Sequence, residues 1–398
     1  MLVKLKKNKM LTEILGINEL EVMDRKVIGK NVYFYVETKA QVAICPVCGA
    51  YVEDIKEYKQ YTVRDLPAHG KKAYLVITKK RFCCEDCEIT FTEPLESIAP
   101  GEIYTKRYME LVYNKCKRCT IEDISKEEEL GYKAVQRIFY IYGKKEISKV
   151  EDDGHEILCI DETSLKKRYR EFVLIIYSPV NNRIVDILED RSKERLKQWL
   201  LAYKHRDKIK IVSIDMWEPY KDAILEAVPG VVVNADRFHV MKNLNECLTK
   251  ARRETQKALP KEKKDELKGS RWVIVKNEED LKPEEQAKLK KIYELCPELG
   301  QCHQLKEEFR KVFSTEFREE AEKALRKWVE KVETSGVKAF AKFLTTLKNW
   351  WECILNYFDN RITNGFIEGV NTKLRTINRM AYGYGSFFMY RLRMLLSF

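Results

Sequence analysis

Apolar positions change their spacing from region to region along this chain. Near the start, "MLTEILG" predicts a short helix and "NVYFYVET" a strand, and residues 41–97 alternate strands with cysteine-bearing turns. From 104 to about 150 the period is helical, through "YTKRYMELVYNKCKRC" and then "TIEDISKEEELGYKAVQRIFYIYGKK". Residues 156–236 read strand, strand, strand, helix, strand, helix, strand: "EILCID", "REFVLIIYS", "RIVDILED", "KERLKQWLLAYK", "KIKIVSID", "WEPYKDAILEAV", "VVVNAD". That order predicts a mixed sheet with helices against it. Residues 245–357 then read as almost wholly helical and highly charged, with "LKGSRWVIVKNEEDLKPEEQ" as a local interruption.

Length and composition narrow the class. A chain of 398 residues with 44% hydrophobic content has room for two or three domains with separate cores. No run approaches the roughly 18 to 20 apolar residues of a membrane span, and "MLVKLKKNKM" lacks the apolar centre and cleavage site of a signal peptide. A cytoplasmic location without membrane partners is the expectation. The net charge of +12 suits a polyanionic partner, and the last 38 residues hold six Lys or Arg against one acid.

In such a compartment the twelve cysteines are reduced, so CxxC pairs point to metal. "AICPVCGA" and "RFCCEDCEITF" each set two thiolates on a tight turn, and Cys45, Cys48, Cys84 and Cys87 together would close a tetrahedron around structural Zn²⁺. The gap between the pairs requires the intervening strands to form an insertion. Cys83 is an alternative ligand, although only Cys84 keeps the CxxC spacing. Cys116 and Cys119 share one face of an expected helix, and two buried or half-buried thiols is the simpler reading there. The following segment has the form helix, glycine-containing turn, helix that a helix-turn-helix requires, with Lys133, Arg137, Lys144 and Lys145 available to phosphates. An ordinary helical hairpin has the same pattern.

Two β-rich runs stop at an aspartate. Asp161 follows "EILCI" and Asp215 follows "IKIVSI", and carboxylates on adjacent strand ends can share Mg²⁺ or Mn²⁺. Taken singly, such an aspartate is an N-cap or turn former. The strand order, however, is how a ribonuclease H-like fold begins, and such a site needs a third acid from a later helix. "TNGFIEGVNTKLRTINR" supplies Glu368 between Asn364 and Asn371, on a face that continues to Arg375, with Lys373 and Arg379 nearby along an expected DNA track.

The blocks "CIDETSLKK", "DMWEPY", "ADRFHVMKNLN", "LKGSRWVIVKN", "RITNGFIEGVNTKL" and "RMAYGYGSF" resemble, in order, the signature blocks of the IS-L-three family of bacterial insertion-sequence transposases. The resemblance runs from residue 41 to the C-terminus. It implies a DDE transposase acting on double-stranded DNA, as a homodimer, in a bacterial cytoplasm and associated with the nucleoid. The implied fold is an α/β multidomain chain: an N-terminal zinc-binding β-rich domain at 1–100, a helix-turn-helix DNA-binding domain at 101–150, a ribonuclease H-like catalytic domain at 151–244 and 358–398, and a helical insertion at 245–357. Related transposases place the second catalytic Asp after the fourth strand and a motif ending in His after the fifth. Asp161, Asp215 and Glu368 then hold the catalytic Mg²⁺, and Asp236 and His239 form the accessory motif. Asp236 in place of Asp215 as second ligand stays open, as does a merely buried His239 satisfied by Asp236. A non-catalytic DNA-binding regulator derived from a transposase, or a stand-alone ribonuclease H-like nuclease, would share these features.

Overall fold

Residues 8–166 and 171–398 are described by the computed structural model of the protein, which divides into two units, residues 1–149 and 150–398. Residues 1–7 of the expected first domain, and Lys167 in the "CIDETSLKK" block, lie outside the described residues. The expected finer boundaries at 100, 244 and 357 fall within these units.

In the first unit α1 (Lys9–Leu15) leads into the hairpin of β1 (Leu20–Ile28) and β2 (Asn31–Thr38). The short pair β3 (Ala43–Ile44) and β4 (Tyr51–Val52) follows, then the long hairpin of β5 (Ile55–Ala68) and β6 (Lys71–Cys84), and then β7 (Ile89–Thr92). The sheet order is β1-β2-β6-β5, with β7 also paired to β6. The β5–β6 hairpin is therefore the insertion that the spacing of the cysteine pairs demanded. Alternate side chains of these strands, Val32, Val36, Val63, Leu75 and Ile77 among them, fill one small core.

Three helices complete the unit: α2 (Lys106–Cys116), α3 (Ile121–Glu128) and α4 (Tyr132–Ile147). A buried network ties them to the sheet. Arg64 donates from β5 to the Glu128 carbonyl at 2.6 Å and to its carboxylate at 2.9 Å, and the Tyr108 hydroxyl donates to the same carboxylate at 2.8 Å. Cys116 ends α2 and is buried, whereas Cys119 lies past the helix end and is exposed. The expectation of a shared helical face is corrected, because Thr120 already caps α3 through its side chain.

The second unit begins with a meander of β8 (Ile157–Lys166), β9 (Glu171–Ser178) and β10 (Arg183–Leu188). Then come α5 (Lys193–Ala202), β11 (Ile211–Ile214), α6 (Glu218–Ala227) and β12 (Val232–Ala235). The sheet order is β10-β9-β8-β11-β12; β8, β11 and β12 run parallel, and β9 and β10 are antiparallel neighbours. Leu158, Ile160, Val212 and Ile214 point to one face, where α5 and α6 pack. Cys159, Val173 and Ile175 point to the other, beneath two helices from the end of the chain.

Between the sheet and that end lie α7 (Arg237–Ala258), α8 (Lys261–Lys264), α9 (Ser270–Val275), α10 (Pro283–Leu295), α11 (Pro297–Val312), α12 (Arg318–Thr334), α13 (Ala341–Asn349) and α14 (Trp351–Asn360). Their apolar faces join the core on the α5–α6 side of the sheet, so helical region and sheet share one continuous interior. Trp350, Ile354, Tyr357 and Phe358 of "NWWECILNYF" are buried in it. The chain closes with α15 (Gly365–Met380) and α16 (Phe387–Leu395), which cover the opposite face.

The expected end of the first strand at Asp161 is corrected. The parallel ladder with β11 stops at Ile160 opposite Ile214, but the antiparallel ladder with β9 continues through Asp161 to Lys166. Asp161 stands where the long strand outruns its short neighbour, open on the β11 side and held on the other.

Candidate active site and metal centre

The parallel ladders bring three aspartates side by side. Ile160 pairs with Ile214 and Ile214 with Ala235, so the next residues, Asp161 within β8 and Asp215 and Asp236 just past β11 and β12, stand at one level on three adjacent strands. Asp236 caps α7, its carboxylate accepting the His239 backbone N–H at 3.3 Å. His239 Nδ1 lies 3.0 Å from Asp236 Oδ2 and 2.7 Å from Asp215 Oδ1. Both neighbours are carboxylates, so Nδ1 carries the proton. Burial pulls the imidazole pKa down, but the hydrogen bonds and charges of Asp215 and Asp236 outweigh it and raise it to about 10. The ring is an imidazolium at neutral pH.

One face of α15 runs along β8. The Asn364 backbone N–H donates to Asp236 Oδ1 at 3.1 Å and its Nδ2 to the Ile160 carbonyl at 3.4 Å. Asn371 Nδ2 donates to Asp161 Oδ2 at 2.6 Å, Arg375 Nε to Thr163 Oγ1 at 3.4 Å, and Asn378 Nδ2 to the Leu165 carbonyl at 3.1 Å. The polar positions of this helix thus follow the odd-numbered side of the strand on which Asp161 lies.

Asp161 is buried, and burial, followed by the negative charge of Asp215, pushes its carboxyl up to about 6. Asp215 is the more open of the pair, with its side chain 26% exposed. Glu368 stands on the first turn of α15, between Asn364 and Asn371, and is exposed. Its carboxylate has no hydrogen bond or ion pair with the described residues and lies outside the tight group of Asp215, Asp236 and His239, whose ligand atoms fall within 4.8 Å of one another. The fold thus sets Asp161 level with Asp215, Asp236 and His239 although it too lies outside the tightest group, and puts Glu368 one helical turn from the asparagines that hold Asp161 and Asp236.

A flank beside the acids was not foreseen. Glu162 accepts from Arg191 Nη1 at 2.9 Å and from the Tyr220 hydroxyl at 2.8 Å, and the Arg191 guanidinium lies 4.6 Å from the Phe172 ring centre and 5.8 Å from that of Trp217. Tyr220 and Trp217 sit in "DMWEPY", so the block itself was a signal. The convergence of Arg191 and Phe172 on it was not visible in any local pattern.

In the first unit the sulfur atoms of Cys45, Cys48, Cys84 and Cys87 fall within 4.8 Å of one another. Cys48 Sγ and Cys84 Sγ are 3.7 Å apart. A tetrahedron of zinc–sulfur bonds of ~2.3 Å has an edge of roughly 3.8 Å, so the spacing fits zinc. Each pair sits on a turn closed by a positive φ, at Gly49 (75°) and Glu88 (53°). The backbone N–H of Cys48, and then burial and further bonds at the knuckle, leave the Cys45 thiol lowered to about 7, whereas Cys48 and burial push Cys87 up to about 12. Four thiolates need a cation among them. Cys83 is outside this group.

The expected phosphate contacts are scattered. Lys133 is exposed on α4, but Arg137 is engaged by Glu102, with one contact at 2.7 Å. Lys373 donates to the Ser397 carbonyl and lies 3.9 Å from the Phe398 ring centre; Arg379 is exposed.

Comparison with known proteins decides the family. A model of the IS-L-three, DDE-type family, described as "Transposase", matches residues 158–394, and one described as a zinc-finger of transposase IS204/IS1001/IS1096/IS1165 matches residues 41–87. The chain belongs to the IS-L-three family of transposases. It is similar to the transposase for insertion sequence element IS1001 of Bordetella parapertussis, 25% identical over 361 residues that make up 89% of each chain. It is also similar to the transposase for insertion sequence element IS1557 of Mycobacterium tuberculosis, 29% identical over 252 residues, 57% of this chain and 56% of that one. As a transposase the protein is a DNA-processing enzyme, with a zinc ribbon at its cysteine cluster and, among the described residues, no helix long and apolar enough to cross a membrane.

Proposed function

We propose that this transposase cuts the ends of its insertion sequence and joins them to target DNA at a ribonuclease H-like site formed by Asp161, Asp215 and Glu368. The observation that carries this reading is the level alignment of Asp161 and Asp215 on adjacent parallel strands, one of them buried beside the other's charge. With His239 protonated, the three aspartates and the imidazolium sum to a net charge of −2, and the donors still open are hard oxygens. That set fits Mg²⁺ or Mn²⁺. Asp161, Asp215 and Glu368 would hold the ions, which supply charge stabilisation and an activated oxygen for phosphodiester displacement.

Asp215 is the better second ligand, because Asp236 is already engaged through both oxygens by the N–H groups of His239 and Asn364 and by the His239 ring. Asp236 and His239 act as a brace. His239 fixes the orientation of the Asp215 carboxylate, and its remaining ring nitrogen can donate to a phosphate oxygen. Asn371 orients Asp161 in the same way. End recognition falls to the zinc ribbon and to α3 and α4 read as a helix-turn-helix, with Lys133 free to meet a phosphate and Arg137 free only if Glu102 releases it. The enzyme works as a homodimer, since two ends must be joined, in the bacterial cytoplasm on nucleoid DNA.

The test is a reaction of the purified protein with a plasmid carrying the element's inverted repeats and Mg²⁺. Expected products are nicks bearing 3′-hydroxyls and then joined ends. Glu368→Gln should bind the repeats as the wild type does and yield neither product. A Glu368→Gln variant that nicks at the wild-type rate removes the third acid from the site.

A further inference from the structure

The block "LKGSRWVIVKN" takes no part in the chemistry above, yet it builds a distinctive surface on the helical region. The chain turns at Gly269 (φ 74°), and the buried Ser270 hydroxyl donates to the Leu267 carbonyl at 2.6 Å. This turn sets Arg271 and Trp272 together at the surface: the guanidinium lies 4.9 Å from the indole centre, and Trp272 is 68% exposed. The second half of α7, on which α9 packs, carries Arg252 and its neighbour Arg253, and Arg252 lies within reach of the charges of both Arg253 and Arg271.

Arg252 donates through Nη1 to Gln256 at 2.9 Å, but its Nε is buried without a hydrogen-bond partner. Burial, and after it the like charges of Arg253 and Arg271, hold Arg252 below its ordinary range. Among the described residues no carboxylate pairs with Arg252, Arg253 or Arg271. A partly dehydrated guanidinium among like charges is unfavourable until an anion arrives, and the arginine fork matches phosphate. An indole left in water beside such a cluster offers a stacking face. Bases within a duplex hide their faces, whereas those of a single strand present them.

We propose that Arg252, Arg253, Arg271 and Trp272 bind an unpaired stretch of DNA strand, the arginines on successive phosphates and Trp272 stacked on a base. The inference rests on the cutting reaction above, which generates free strand ends. It assigns the helical region a direct part in holding them.

Full-length protein is titrated in EDTA, by fluorescence anisotropy, against a flush duplex and the same duplex with a short unpaired tail, across a series of salt concentrations. Trp272→Ala should weaken binding of the tailed duplex by roughly 5- to 100-fold and of the flush duplex by less than about twofold, with Trp272→Phe restoring much of the loss. The double variant Arg253→Glu, Arg271→Glu should lower the slope of log Kd against log salt by between about one and two for the tailed duplex. Lys323→Glu with Lys327→Glu, on exposed positions of α12, is the charge-matched control and should leave tail preference intact. The variants replace exposed side chains, and unchanged melting curves check their folding.

Equal losses on both DNAs with Trp272→Ala, or an arginine variant no different from the lysine control, overturn the proposal. So does tighter binding of a single-stranded RNA tail with the same dependence on these residues, which would assign the patch to RNA. Loss of tail preference in a protein that still nicks with Mg²⁺ sinks this site alone. A protein that keeps the preference but never nicks sinks only the cleavage reading.

Discussion

Asp161→Asn is expected to stabilise the metal-free protein above neutral pH and, at the same time, to abolish DNA cleavage. The carboxyl group of Asp161 sits at about 6 in the folded chain, raised first by burial and then by Asp215. An unfolded aspartate titrates near 4. For a raised carboxyl the stabilising contribution is complete below the unfolded value and is lost as pH rises through the folded one. At pH 8 the ionised side chain therefore destabilises the fold by up to about 3 kcal/mol. Asparagine removes that charge. It keeps an oxygen acceptor but not both of those now used by the Glu162 N–H and Asn371 Nδ2, so the net gain is roughly 1–2 kcal/mol. Thermal unfolding in EDTA should show a rise of a few degrees at pH 8 and none at pH 5. Cleavage should fall on the order of 10³-fold or more, with end binding kept. An asparagine variant that melts earlier at pH 8, or still cuts, would show that Asp161 serves the fold and not the reaction.

Cys48→Ser is expected to have the largest effect on the first unit. β3 and β4 are two residues each, and the apolar cluster around them buries only Ala43, Val52, Phe82 and two cysteines, with Ile55, Ile89 and Phe91 half-buried at its edge. So small a core does not hold two hairpins in register without a cross-link. Binding of structural zinc contributes about 10–16 kcal/mol in comparable peptides, and loss of one thiolate gives up much of it. Metal analysis should find about one zinc per wild-type chain and almost none in the variant. Proteolysis should open the segment from Cys45 to Cys87, and affinity for the inverted repeats should drop by about 100-fold, while the melting transition of the catalytic unit stays in place. A variant that keeps its zinc would shift the fourth ligand to Cys83.

The parts of this molecule that could be read from the sequence are those whose pattern is local. Buried parallel strands appear as short β-rich, mainly apolar runs, so "IKIVSI" and "VVVNA" announce both themselves and the aspartates that follow them. The cysteine knuckles carry their own spacing. Asp161 is legible but the length of its strand is not, because "DETSLK" is polar and pairs only with β9, a partner that no local pattern reveals. The helical period around Cys119 runs on in the sequence, but α2 ends at Cys116 and Thr120 already caps α3. Arg137 looked available to DNA until the fold brought Glu102 to it across 35 positions. The Arg252, Arg253 and Arg271 cluster depends on α9 packing against α7, and the use of Asn371 to hold Asp161 depends on α15 lying along β8. In each case two segments far apart in the chain had to meet first.

The central claim is that Asp161, Asp215 and Glu368 share the catalytic ions, although Glu368 stands apart from the other two in the protein alone. A crystal of the transposase with cleaved inverted-repeat DNA and Mn²⁺, measured for anomalous scattering, tests it directly. The account predicts manganese between Asp161 and Asp215 with the Glu368 carboxylate drawn in as a further ligand and His239 still bonded to Asp236. Manganese held by Asp236 and His239, with Glu368 still facing solvent, would contradict it.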